Sequence, residues 1–337
     1  MSNAIWKGKN GPLLIAEIGG NHEGDFEYAK KLTRLALESG ADYVKFQIYT
    51  GDGLVNPVES PDRNKHFKKF ELSKEQHIEL AELCRSQGSG YLASVWIPEA
   101  IDWIDPYMDF YKIGSGDLTA YPVISETLKT KKPLLLSTGL ATEQEVLDCV
   151  KFIADQSPMH IENGLLGILQ CTSMYPIPAA DANLAVMQQL KEKTGCIVGY
   201  SDHTEGSLAL EIAVAMGAEI LEFHFTDDRS GKTFRDHKVS LTRDEVRNLI
   251  NTIYRINELK GDNKKRPLPV EGDHVISFRR AVYPNRDIPK GTVIAENDLI
   301  ILRPDHGISA CNYYQLIGKK TTIDLKKHQM LDLNMFN

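Results

Sequence analysis

A chain of 337 residues with 42% hydrophobic and 25% charged residues has the composition of a globular protein, long enough for one large core and a small accessory domain. Its net charge of -7, mixed in sign, offers no basic face to a nucleic acid and no polybasic strip to an anionic membrane, so small molecules are the expected partners. Five scattered cysteines with no C-x-x-C pair argue against a disulfide framework and a thiolate zinc site; the first apolar run is too short for a signal-peptide core, and a cytoplasmic protein is expected.

In chain order, eight short runs rich in Val, Ile, Leu and aromatic residues read as strands: "LLIAEIG", "DYVKFQI", "YLASVW", "FYKIGSG", "PLLLSTG", "LGILQCTS", "CIVGYSD" and "ILEFHF". Helical segments lie between them. The spacing predicts helices from Asp25 to a capping Gly40, after an N-cap Ser73, after an N-cap Thr142 and up to Gly217, with a last long one over "LTRDEVRNLINTIYRINELKG". This alternation predicts an α/β protein built on a closed (β/α)8 TIM barrel over residues 1–260, with a doubly wound open sheet as the alternative. The charges and prolines of "DNKKRPLPVEGDH" mark a linker, residues 261–275. Residues 276–337 carry a weak repeat, "DIPKGTVI" and "DLKKHQML", each read as two short strands about a polar turn, which predicts a small β-rich domain.

Side chains alternate between the two faces of a strand, so parity tells which of them share the barrel mouth. Val44, Phe46 and Ile48 share one face and Lys45 and Gln47 the other; Leu221, Phe223 and Phe225 oppose Glu222 and His224. The same count groups Ser201 with His203, sets Lys112 opposite Tyr111 and Ile113, and turns Glu17 and Ser137 inward. These polar groups therefore converge at the strand ends, where barrel enzymes place their chemistry. Two imidazoles with few further protein ligands suit Mn2+, Co2+, Fe2+ or Zn2+. Lys45 and Lys112, set among apolar neighbours, read as anion ligands, and with Ser115, Ser137 and the turns "GSG" and "STG" they would receive a small phosphorylated acid. Arg303, in "LRPDHGIS", is a surface arginine or a contact of a closing module.

In order along the chain, "AEIGGNHEGD", "VKFQ", "YKIGSGDLTAYP", "LSTGLAT", "QCTSMYP", "GYSDHT" and "LEFHFT" resemble the sialic acid synthase family, from about Leu13 to the C-terminus. The resemblance implies condensation of phosphoenolpyruvate (PEP) with an N-acylated amino sugar such as N-acetylmannosamine, giving a nine-carbon 2-keto acid and phosphate. It also implies an antifreeze-like (SAF) C-terminal domain, a divalent metal, Mn2+ before Mg2+ or Co2+, and a domain-swapped homodimer in which Arg303 acts on the other chain's barrel. By motif, His203 and His224 would hold the metal, and Lys45, Lys112, Ser115, Ser137 and Ser201 would hold PEP. Gln47, Tyr175 and Asp236 would meet the sugar, with Ser94 and Ser173 also on the substrates. Glu17 and Glu222 remain as carboxylates for the attacking water, with Asp236 as a third catalytic candidate. The chain departs from the family pattern at Ser173, Asp117 and Ser94-Val95-Trp96, where the bulk of Trp96 bears on which sugar is taken. Two alternatives stand beside this reading: a legionaminate- or pseudaminate-type synthase using a 2,4-diacetamido-6-deoxyhexose, and a non-catalytic carbohydrate-binding protein. A barrel that adds PEP to a phosphorylated sugar would need a second basic cluster, and the sequence displays none.

Overall fold

The computed structural model of the chain describes residues 5–337 and divides into two units, Met1–Gly261 and Asp262–Asn337. In the first unit a two-residue strand, β1 (Lys7–Gly8), folds back antiparallel on β2 (Gly11–Glu17). From β2 onward the neighbours are parallel: β3 (Tyr43–Ile48), β4 (Gly90–Val95), β5 (Tyr111–Ile113), β6 (Leu134–Ser137), β7 (Leu166–Cys171), β8 (Ile197–Asp202) and β9 (Ile220–His224). Strand β9 pairs with β2, Glu17 opposite His224, which closes the barrel and rules out the open sheet.

Local chemistry starts and stops the helices. Asp25 accepts from the Tyr28 N–H ahead of the helix Phe26–Ser39, and Gly40, at φ 95, ends it in a left-handed conformation that only glycine adopts without strain. Ser73 with Gln76 and Thr142 with Glu145 form capping boxes for the helices Lys74–Ser86 and Glu143–Gln156. Further helices, Tyr121–Leu128 and Val186–Thr194, lie in connections where the sequence marks none.

The barrel interior is apolar below and polar above. Three interior glycines leave notches that larger neighbours fill: a β-carbon at Gly90 would stand 2.0 Å from the Tyr43 ring, one at Gly199 2.2 Å from the Ile220 carbonyl oxygen, and one at Gly167 2.9 Å from Leu135. Trp6 also reaches the Gly167 notch, its indole donating to the Gly164 carbonyl at 2.9 Å and its ring set edge-on to Phe110. With Trp6 only 1% exposed, the indole is a plug at the N-terminal end of the barrel.

In the second unit, β10 (Ala281–Pro284) and β11 (Leu299–Leu302) pair antiparallel. The repeated segments do not form two strands each, as the sequence suggested; they meet each other, Ile288 and Leu325 exchanging both backbone hydrogen bonds at 2.8 Å. Pro289 lacks an N–H and Gly291 turns at φ 86, so neither segment extends into a hairpin of its own. Among the described residues no helix is long and apolar enough to cross a membrane, and all five cysteines are free.

Candidate active site

A cavity of about 990 Å3 opens at the C-terminal ends of the barrel strands. Strands β2 to β6 bring Glu17, Lys45, Gln47, Ser94, Lys112 and Ser137 to its wall, and β8 and β9 bring Ser201, Glu222 and His224. Ser115, Ser173, Tyr175, His203 and Asp236 line it from the segments that follow the strands. Arg303 belongs to the second unit, where its guanidinium sits 5.6 Å over the Phe278 ring.

The deepest layer is ionic. Lys45 Nζ donates to Glu17 Oε2 at 2.7 Å and stands 3.7 Å from Glu222 Oε2; Lys112 Nζ donates to Ser137 Oγ at 2.6 Å and lies 3.6 Å from Glu222 Oε1. All four charged groups are buried, which is expensive unless they are paired. Register makes the pairing, since Glu17 faces Lys45 across β2 and β3, and Ser201 faces Glu222 across β8 and β9. The two carboxyls nevertheless differ. Burial pushes Glu17 up to about 7, with Glu222 adding to the rise and Lys45 opposing it. Glu222 also feels burial, but Lys112 and Lys45, with the Ser201 hydroxyl at 3.1 Å, hold it below the usual carboxylate range. Glu17 is thus poised to exchange a proton near neutrality while Glu222 stays ionised, and unequal environments of this kind separate acid–base roles.

The imidazoles lie across the mouth from β4. His203 and His224 have ring centroids 5.3 Å apart, and the Tyr175 ring packs at a tilt 4.1 Å from His203. The His203 Nδ1 donates to the Thr172 carbonyl at 2.7 Å, so in the neutral ring Nε2 carries the lone pair; against the effect of burial, Cys171 and the Thr172 carbonyl push its pKa up. Burial holds His224 neutral; its Nδ1 is buried without a hydrogen-bond partner, and Asp236 Oδ2 stands 3.9 Å away. An orphaned buried nitrogen beside a second free lone pair fits a divalent ion. Among the described residues no group of three His, Cys, Asp or Glu side chains is placed to hold a metal ion, so such an ion here would take only the two imidazoles from the protein.

Beside Lys112, hydroxyls crowd a bare backbone. A β-carbon at Gly139 would stand 2.3 Å from Ser173 Oγ and 2.8 Å from Ser115 Oγ, and the Gly139 N–H donates to Ser115 at 3.1 Å. Glycine at 139 therefore leaves a cradle of hydroxyls and a lysine, suited to a phosphate.

Comparison with known proteins agrees with this geometry. The NeuB family model matches residues 32–265. The chain belongs to the NeuB family. A SAF domain matches residues 279–337. The chain is 36% identical to an N,N'-diacetyllegionaminic acid synthase of Legionella pneumophila, over 93% of this chain and 91% of that protein. It is 30% identical to the human N-acetylneuraminate-9-phosphate synthase, over 96% and 92% respectively. Among solved structures, the N-acetylneuraminic acid (sialic acid) synthetase of Leptospira borgpetersenii, in complex with citrate, superposes with a TM-score of 0.71 at 29% identity, over 79% of this chain and 91% of that one.

Within this NeuB-family barrel, sequence reasoning missed the upper wall. The connection after β3 carries the helix Pro61–Phe70, which brings Arg63, His66, Phe67 and Phe70 to the cavity, and the segment after β9 adds Phe234 and Arg235. His66 packs 4.3 Å from Phe70, and Arg235 lies 4.7 Å over Tyr175. Burial and the positive charges of Arg235, Lys69 and Arg63 push His66 down. The absence of a second basic cluster from the sequence is therefore corrected: the fold gathers a cationic rim from two distant segments. The signal for it was the basic run "DRNKHFKK".

Proposed function

We propose that the protein condenses PEP with an N-acylated amino sugar to a nine-carbon 2-keto sugar acid of the sialic type, releasing phosphate. The observation that carries this reading is the buried pair of lysines interleaved with two unequal carboxylates, directly beneath two imidazoles with free lone pairs. Lys45 and Lys112, with Ser115, Ser137 and Ser201, bind the phosphate and carboxylate of PEP and fix its C3 toward the sugar. Gln47, Ser94, Ser173, Tyr175 and Asp236 orient the two reactants, which gain a large proximity advantage once aligned away from water. A divalent metal, Mn2+ as the family resemblance implies, would be held by His203 and His224 and would supply a Lewis acid for the sugar's aldehyde oxygen.

The chain's own groups follow the bond changes. PEP C3 forms the new bond to the aldehyde carbon, and positive charge grows at C2. Glu222, kept ionised under both lysines, stabilises that charge. Glu17 accepts a proton at its carboxylate from the water that adds to C2, and that proton goes on to the former aldehyde oxygen. Collapse at C2 then forms the ketone as the C–O bond to phosphate breaks, the C2 hydroxyl giving its proton to the departing phosphate. The cationic rim of Arg63 and Arg235 concentrates anionic PEP at the mouth. Assembly as a homodimer, with the SAF domain of one chain over the barrel of the other, completes the proposal and gives Arg303 its role.

The test is phosphate release from PEP with Mn2+ and a panel comprising N-acetylmannosamine, its 6-phosphate and a 2,4-diacetamido-6-deoxyhexose. Release with at least one sugar is expected; none from any sugar, at equal loading with metal, overturns the reading. Lys45→Met and Lys112→Met are expected to raise the KM for PEP by about tenfold to a hundredfold, the worth of a charge-assisted hydrogen bond, while the sugar KM moves little. Isothermal titration with PEP checks the same ratio independently of turnover, and thermal melts separate it from loss of fold.

A further inference from the structure

The connection after β9 is a loop whose two ends are sealed together. The Leu241 N–H donates to the His224 carbonyl at 2.7 Å and the Thr226 N–H to the Leu241 carbonyl at 3.0 Å, so residues 226–240 leave the barrel and return at one point. Phe234, Arg235 and Asp236 reach the cavity from inside this loop. A loop tied only at its base is placed by whatever its interior residues rest on. Here that support is the turn after β2.

A β-carbon at Gly20 would stand 2.9 Å from the Phe234 ring, so the ring rests on bare backbone. Asn21, fully buried, donates through Nδ2 to the Phe225 carbonyl at 2.9 Å and to Ser240 Oγ at 2.8 Å. Ser240 Oγ gives its single proton to the Asp236 carbonyl at 2.7 Å. That decides the amide's orientation, because a carbonyl and a hydroxyl already donating can only accept from Asn21. Glu23 Oε1 lies 3.3 Å from His237 Nε2, so the turn meets Phe234, Asp236 and His237 in the order in which both segments run. The chain of bonds ends on the residue whose carboxylate stands 3.9 Å from His224. That carboxylate has one side-chain hydrogen bond, from Arg235 Nε at 3.3 Å, and Arg235 belongs to the same loop and moves with it. The backbone tie through Ser240 is therefore what refers Asp236 to the barrel.

We propose that Asn21 and Ser240 are positioning residues for the condensation, a buried relay from the β2 turn that fixes the Asp236 carboxylate beside His224, where it orients the sugar. The inference rests on the PEP-condensing reading and adds to it the part of the fold that sets one sugar contact. Ser240→Ala breaks the last bond of the relay and keeps the bond from Asn21 to Phe225. This variant is expected to raise the sugar KM about fivefold, the worth of one neutral hydrogen bond, with the PEP KM unchanged. The melting temperature is expected to hold within a few degrees. Calorimetry supplies a binding readout free of turnover, using the alditol of whichever panel sugar the wild-type protein converts, since an alditol has no aldehyde to react. Asp236→Ala is expected to weaken alditol binding more than Ser240→Ala does. Added to Asp236→Ala, the Ser240→Ala change is expected to cost less than about twofold, because the group it places is gone. A full, additive penalty in that background marks a merely structural role and overturns the proposal. So does an unchanged sugar KM in Ser240→Ala, or a PEP KM that rises as much as the sugar KM. Failure of the broader reading looks different, because wild-type protein would then release no phosphate with any sugar, and both proposals fall together.

Discussion

His203→Ala and His224→Ala are each expected to lower turnover by more than about a hundredfold and to abolish the response to added Mn2+. The expectation follows from the orphaned His224 Nδ1 and from the Thr172 carbonyl that fixes the His203 tautomer, because neither imidazole has a protein partner on the side that faces the cavity. Packing is not what these rings provide. They belong to the polar mouth, above the apolar interior, so the melting temperature is expected to hold within a few degrees. Direct Mn2+ binding, followed by electron paramagnetic resonance of the free ion, is the check that does not depend on activity. Metal bound with wild-type affinity after both substitutions removes the assignment, and chelation that leaves the wild-type rate intact removes the metal itself.

Arg303→Ala is expected to be as inactive as His203→Ala, and the two inactive proteins together should recover activity. The reason is arithmetic. If the SAF domain of one chain serves the barrel of the other, a mixed dimer contains one barrel with intact His203 covered by a domain with intact Arg303. Random exchange then restores up to about a quarter of the wild-type specific activity, since half the dimers are mixed and each has one good site. If each domain serves its own barrel, every site in the mixture lacks one group and none recovers. The measurement is phosphate release after subunit exchange, with mixed dimers verified by differential tags. Stacking of Arg303 on Phe278 already holds the guanidinium in a defined place within its own unit, which favours its use as a recognition group.

The floor of the site was legible because it is written in strand parity. Lys45 and Gln47, or Glu222 and His224, alternate with apolar residues at a spacing of two, and the pleat alone turns them to a common side. What parity leaves open is distance between strands, so the separation of Glu17 from Glu222 into a proton-exchanging and an ionised carboxyl emerged only from the register that sets Lys45 and Lys112 around them. The wall of Arg63, His66, Phe67 and Phe70 depends on a helix, Pro61–Phe70, inside a connection, and its polar composition gave no apolar stripe by which to place it. Tertiary pairing also overrode the local reading of the C-terminal repeat, where Ile288 found Leu325 rather than a neighbour in its own segment.

Trp6 gives the barrel a closed bottom, and a vessel with one opening imposes a queue. With the indole lodged against Gly167 and hydrogen-bonded to Gly164, traffic passes only through the rim of Arg63, His66 and Arg235. On the proposed reading, the PEP held by Lys45 and Lys112 is expected to arrive first, because the sugar bound above it then covers it. Departure runs in the reverse sense: the nine-carbon acid clears the mouth before the phosphate left on the floor can follow.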